Sequence, residues 1–240
     1  MKRMIFVCGL HRSGTTLLEN FLFSRFEVCA LRANVPENEG QFLQDVYKPA
    51  FNYGGPGKFA FSKKMQDDIS SLTDYMDCQS RISNSWKQHI VGTGDFLVEK
   101  SPPNLTKIWW LRKVFPGALF IIWTRDPRAV ACATQKWCRT SLEELMMHWS
   151  TAYKIGKNDL NGSDCILMSY EDFCESPDRC FEKSGLLEYL TKRNVPLPLD
   201  SRFVEVKNSN SEYLKHFDER LILGGSWEHF GYSFKCDQSP

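Results

Sequence analysis

The 240-residue sequence has no apolar run approaching the roughly 20 residues that cross a bilayer. It has almost no net charge either. Thirty basic and 29 acidic residues leave a formal charge of +1, which excludes the broad basic surface of a general nucleic-acid binder. The nine cysteines are an odd number, and none forms the C-x-x-C pair of a metal or redox site. They read as small buried thiols in a reducing compartment, with a disulfide among Cys174, Cys180 and Cys236 as the lesser alternative. There is no internal repeat and no low-complexity tract. The basic first residues and the short apolar run after them mimic a signal peptide, but that run feeds straight into a glycine loop that cleavage would destroy. The expectation is a single domain over 1–240, cytoplasmic, with neither a membrane nor a nucleic acid as partner.

The most informative absence is one lysine. Met4 to Cys8 is an apolar run long enough for a buried strand, and a loop with Gly9 and Gly14 follows. Thr15 and Thr16 then open a segment with Leu17, Leu18, Phe21 and Leu22 at helical spacing. Strand, glycine loop and helix together aim backbone N–H groups and a helix N-terminus at an anion. The loop resembles a Walker A phosphate loop, except that Thr15 holds the lysine place and Arg12 sits inside the loop. Such a loop cradles a phosphate-like group without the usual handle for a γ-phosphate.

Further along, Phe26 to Leu31 reads as a second strand, followed by the polar loop Asn34 to Gln41 with carboxylates at Glu37 and Glu39. That loop lies beyond a strand's C-terminal end, where open α/β sheets bind ligands. Taken alone, each acid reads as an ordinary solvated side chain. The stretch 41–94 carries charged, mixed helical patterning and reads as a helical insertion. Phe96 begins a strand that stops at the double proline Pro102-Pro103, with Lys100 and Ser101 at its tip. A helix is expected over about Asn104 to Phe115, and Leu119 to Thr124 is the clearest buried strand. Arg125 stands at the tip of that strand. Asp126 as N-cap and Pro127 as first helical residue start a helix just after it, so an anion is the better partner for this arginine. Cys165 to Ser169 is a fifth strand, flanked by helices at about Leu142–Gly156 and Pro177–Thr191. Asn194 to Pro198 is a linker, and the aromatic tail from Ser209 to Phe234 folds back over the nucleotide end. Alternating strands and helices predict an α/β fold: a doubly wound, mainly parallel sheet of about five strands with a phosphate loop and flanking helices, P-loop NTPase-like.

Four segments, His11-Arg-Ser-Gly-Thr-Thr-Leu17, Glu99-Lys-Ser-Pro102, Phe120 to Ala129 and Phe230-Gly-Tyr232, resemble the sulfotransferases that use 3′-phosphoadenosine 5′-phosphosulfate (PAPS). The likeness is to the branch of protein-tyrosine sulfotransferases and related bacterial enzymes. It implies a transferase with PAPS as co-substrate, adenosine 3′,5′-diphosphate (PAP) as product and no metal. By that resemblance Arg12, Ser13, Gly14, Thr15 and Thr16 bind the 5′-phosphosulfate, and Arg125 binds the 3′-phosphate. A family serine eight residues after that arginine is Ala133 here, so Thr134 or Lys136 is expected to substitute. Tyr170 matches an adenine-side tyrosine, and Ser211 loosely matches a serine near the scissile bond. Lys100 and Arg12 are the candidates to meet charge on the departing oxygen. The acceptor's proton calls for a base, matched best by Glu39, with Glu37 in reserve and His11 and His148 as weaker alternatives. The expected acceptor is a small-molecule metabolite, with a tyrosyl peptide or a carbohydrate as alternatives. An ATP-dependent small-molecule kinase and a catalytically silent nucleotide-binding module are the rival readings.

Overall fold

A computed structural model describes residues 2–215, 217, 218 and 225–234. Six strands form one sheet: β1 (Arg3–Cys8), β2 (Val28–Leu31), β3 (Ile90–Gly92), β4 (Phe96–Lys100), β5 (Leu119–Thr124) and β6 (Cys165–Ser169). Their order is β3-β2-β4-β1-β5-β6. All neighbours are parallel except β3, which runs antiparallel along β2 at the edge. The sheet thus has one strand more than expected. β3 is three residues long, partly exposed and carries no alternating pattern, so nothing in its sequence distinguishes it from the helical stretch before it.

Helices cover both faces. α1 (Thr15–Arg25), α7 (Tyr170–Glu175) and α8 (Pro177–Ser184) pack on one face. α4 (Ile108–Val114) and α6 (Leu142–Lys157) pack on the other. Strand β1 lies between the two layers, and its side chains alternate accordingly. Met4, Phe6 and Cys8 join Trp110, Trp149 and Tyr153, whereas Ile5 and Val7 join Leu18, Phe21, Phe173 and Phe181.

The insertion has two halves. Up to residue 61 it holds only loops and short 3₁₀ turns, and true helices begin at α2 (Lys63–Ser70) and α3 (Tyr75–Lys87). The helix expected over Asn104–Phe115 is a 3₁₀ turn, Pro102–Thr106, followed by α4 after a break at Lys107. The helix expected to reach Thr191 stops at Ser184, because Gly185 at φ 73° provides a left-handed cap. Cys174 and Cys180 are free thiols, so they do not form the disulfide considered above, and Cys236 lies outside the described residues. Among the described residues no helix is long and apolar enough to cross a membrane. The described tail lays Trp227 and Phe230 against α6, with Phe230 in edge contact with Trp149 and Tyr153. Parallel pairing brings the C-terminal ends of β1, β2, β4 and β5 to one edge of the sheet, and the site is built there.

Candidate active site

The glycine loop is fixed from below. Ser13 is fully buried, and both its hydroxyl (2.7 Å) and its backbone N–H (3.2 Å) donate to the Leu10 carbonyl. The Trp123 indole N–H donates to the Ser13 carbonyl at 2.8 Å. Ser13 therefore braces the loop, and its hydroxyl is turned away from the ligand position expected for it. Gly14 sits at φ 94°, and a Cβ there would fall 2.8 Å from the Tyr170 ring. Helix α1 starts at once, with no side-chain cap and no acidic residue in its first turn. Its first N–H groups and the positive end of its dipole are left for a ligand.

A cavity of about 440 Å³ opens above this loop, with Arg12, Gly14, Thr15 and Thr16 in its wall. Two side-chain clusters complete it. In the first, Arg125 is only 5% exposed, yet no carboxylate among the described residues pairs with it. Its Nε–H donates to Asn210 Oδ1 (2.8 Å), one terminal N–H to the Arg12 carbonyl (2.9 Å) and another to Ser209 Oγ (3.0 Å). All three acceptors are neutral, and two of the five guanidinium N–H groups remain. Its plane lies 4.1 Å from the Tyr170 ring centroid. A buried cation held by neutral groups is costly unless an anion joins it. Arg12 also lacks a carboxylate partner among the described residues. It lies 4.4 Å over Trp137, with its Nε buried and unbonded.

The second cluster surrounds Glu39. This carboxylate is buried, accepts from Gln41 Nε2 (2.5 Å) and lies 3.5 Å from Lys100 Nζ. Burial raises its pKa, and Lys100 followed by the Gln41 hydrogen bond partly offsets the rise. Lys100 Nζ also donates to the Glu37 carbonyl at 2.9 Å. Lys100 is not itself in the cavity wall, so it acts on the cavity through the loop that carries Glu37 and Glu39. The neighbouring Glu99 is fully inside and fixes that loop by accepting from the Gly40 N–H at 2.9 Å. Glu37 reaches outward to Arg202 at 3.2 Å, across the opening.

Among the described residues, the non-glycine residues with positive φ are Arg12 (64°), Glu37 (48°) and Asn38 (54°). Arg12 and Glu37 line the cavity and Asn38 directly follows Glu37 in the same loop, and such left-handed conformations persist only where the surroundings impose them.

The histidines are placed differently. His148 is buried, its Nε2 accepts the Ala60 N–H at 3.3 Å, and burial drives its pKa down to about 3. His11 is lowered to about 3 as well, by loss of water first and then by His148 and Lys100. Both are neutral imidazoles with little basicity. His11 nonetheless lines the main cavity, whereas His148 does not, and two other expected residues also lie apart from it. Thr134 is on the inner face of α5 (Pro127–Gln135) and borders a separate void of about 10 Å³ with His11 and His148. Ser211 is exposed on α9 (Asn210–Leu214) and is not in the cavity wall. Ser209, two residues earlier, makes the contact to Arg125 instead. Lys136 is exposed and does not line the cavity; its ammonium lies 4.7 Å from the Tyr213 ring centroid. Ser209, Asn210, Arg202, Lys207 and Trp137 carry no motif that sequence reasoning could use. They lie in loops, short turns and the start of α9, and the only signal near Ser209 and Asn210 is the polar run Asn208-Ser209-Asn210.

A family model described as the Sulfotransferase family matches residues 4–184. Among solved structures, the sulfotransferase domain of the Synechococcus olefin synthase superposes with a TM-score of 0.52 at 17% identity, covering 97% of this chain and 95% of that one. A sulfotransferase from Mycobacterium avium gives 0.53 at 16% identity, covering 90% and 68%. At such identities they establish the shared fold alone. No curated protein matches the sequence closely. The matched segment runs from β1 and the phosphate loop through β6 to α8, and the chain belongs to the sulfotransferase family.

Proposed function

We propose that the protein moves a sulfuryl group from PAPS to a hydroxyl or amine of a small-molecule acceptor. The observation that carries this is the Arg125 guanidinium: buried, without a counter-ion among the described residues, and bonded to the backbone of a phosphate loop that holds a second unpaired guanidinium, Arg12. Two such cations suit a ligand with anionic groups at two separate places. PAPS has them, with a 3′-phosphate for Arg125 and a 5′-phosphosulfate for Arg12 and the loop N–H groups. Thr15 in the lysine place disfavours a kinase acting on a γ-phosphate.

In the proposed reaction Glu39 accepts the proton of the acceptor O–H or N–H as that atom bonds to sulfur. The bond from sulfur to the 5′-phosphate oxygen breaks in line, and its electron pair leaves on PAP. Arg12 and the N-terminal N–H groups of α1 meet the charge on the departing oxygen. Lys100 keeps Glu39 ionised and adds positive potential nearby. A raised Glu39 pKa strengthens it as a base, whereas the low basicity of His11 and His148 disfavours them. A cavity of about 440 Å³ suits a nucleotide and a small acceptor better than an extended peptide.

The test is incubation with PAPS and a panel of alcohols, phenols, amines, a tyrosyl peptide and sugars, with mass spectrometry for added sulfate. Sulfation of small molecules supports the proposal, and preferential sulfation of the peptide or sugar reassigns the acceptor class. Binding of PAP with no sulfated product from any acceptor favours a silent module.

A further inference from the structure

Glu171, the second residue of α7, lies outside the four family-like segments, yet three separate parts of the chain converge on its carboxylate. Oε1 accepts from the Asp126 backbone N–H at 2.9 Å and from Asn210 Nδ2 at 2.6 Å. Oε2 accepts from the Tyr232 hydroxyl at 2.8 Å. Asp126 directly follows Arg125, Asn210 directly follows Ser209, and Tyr232 belongs to the C-terminal segment.

Chemistry fixes how the Asn210 amide is turned. The Arg125 Nε–H can only donate and an ionised carboxylate can only accept, so the amide oxygen faces arginine and the nitrogen faces Glu171. The result is a directed chain from Glu171 through Asn210 to Arg125. Glu171 restrains the guanidinium twice, through the main chain at Asp126 and through the amide at Nε. It forms no ion pair with Arg125 itself, because Asn210 is interposed. The arginine is aimed while no described carboxylate compensates its charge.

We propose that Glu171 is a positioning residue for donor recognition, holding Arg125, the Ser209-Asn210 segment and the Tyr232 segment in register around the 3′-phosphate. The proposal rests on Arg125 meeting that phosphate. It also gives the Phe230-Gly-Tyr232 segment a purpose, because its tyrosine closes the clasp from the far side and also reaches Thr124 Oγ1 at 3.2 Å.

The experiment is calorimetric titration of PAP and of 5′-AMP into the native protein and into Glu171→Gln, Asn210→Ala and Arg125→Ala. Glu171→Gln keeps the shape but places an NH₂ against one of the three donors, and Asn210→Ala cuts the relay without touching Glu171. Both are expected to weaken PAP by about 5- to 50-fold while changing 5′-AMP less than about twofold, as loss of one charge-linked hydrogen bond does. Arg125→Ala is expected to weaken PAP by about 100-fold or more, and adding Glu171→Gln to it should change PAP by less than about twofold, since the two act through one contact. Equal losses for both ligands in Glu171→Gln and Asn210→Ala, beside a PAP-selective loss in Arg125→Ala, would reduce Glu171 to a structural role. Absence of a PAP-selective loss in Arg125→Ala overturns the donor assignment itself.

Discussion

Lowering the pH from 7.5 to 5.5 tests whether His148 is the neutral, structural group described here or a titrating base. Its pKa is lowered from 6.5 to about 3 by burial. A group depressed in the folded state contributes stability above its unfolded pKa and loses it as pH falls, because the unfolded chain takes up protons that the folded chain refuses. Between pH 7.5 and 5.5 the folded His148 stays neutral whatever its value in the region of 3. The loss is therefore set by the unfolded pKa alone and amounts to about 1.4 kcal/mol, one pK unit of linkage. Urea unfolding of the native protein and of His148→Gln at both pH values isolates the contribution. The glutamine amide can still accept the Ala60 N–H, so any fixed cost of substitution cancels between the two pH values. The stability drop in the variant should be smaller by about 1.4 kcal/mol. Identical drops in both proteins would refute the reasoning: His148 would then keep an ordinary pKa in the fold and return as a candidate base.

Glu39→Gln should lower turnover by about 10²- to 10⁴-fold, the usual worth of a general base, while PAP affinity in a calorimetric titration stays within about threefold. Near-normal turnover would move the base elsewhere. Lys100→Met removes the cation that offsets burial at Glu39, so the Glu39 pKa rises further. Glu39 works only when ionised, so the acid limb of the kcat/KM profile should move to higher pH, and an unmoved limb would uncouple the pair. Gly14→Ala places a Cβ 2.8 Å from the Tyr170 ring on a backbone at φ 94°. It should cost about 1–3 kcal/mol in chemical unfolding and weaken PAP, and an unchanged unfolding curve would count against the strained turn.

Much of this molecule is legible in its residues because the informative signals are local. The runs Met4 to Cys8 and Leu119 to Thr124 are wholly buried strands, and the Asp126-Pro127 pair starts a helix where capping chemistry dictates. Parallel topology then carries their C-terminal tips, with Arg12, Glu39, Lys100 and Arg125, to one edge. What stays hidden depends on contacts between distant segments. Ser13 has the loop position of a ligand, but its hydroxyl is taken by Leu10 three residues back. Thr134 is one of the inward-facing residues of α5, two turns from the helix start, so its side chain enters the core. Ser209 and Asn210 open the five-residue helix α9, whose position is fixed by Arg125, Glu171 and Tyr170 across the fold. No local pattern announces such residues. The edge strand β3 is too short to register as one.

The central claim is that a buried arginine without a counter-ion among the described residues selects an adenylate bearing a 3′-phosphate. Calorimetric titration of the native protein with PAP, 5′-AMP and Mg·ATP measures it directly. PAP should bind at least about 100-fold more tightly than 5′-AMP, about two charge-assisted hydrogen bonds' worth, and Mg·ATP should gain no such advantage. Equal affinity for PAP and 5′-AMP, or tightest binding of Mg·ATP, would contradict it.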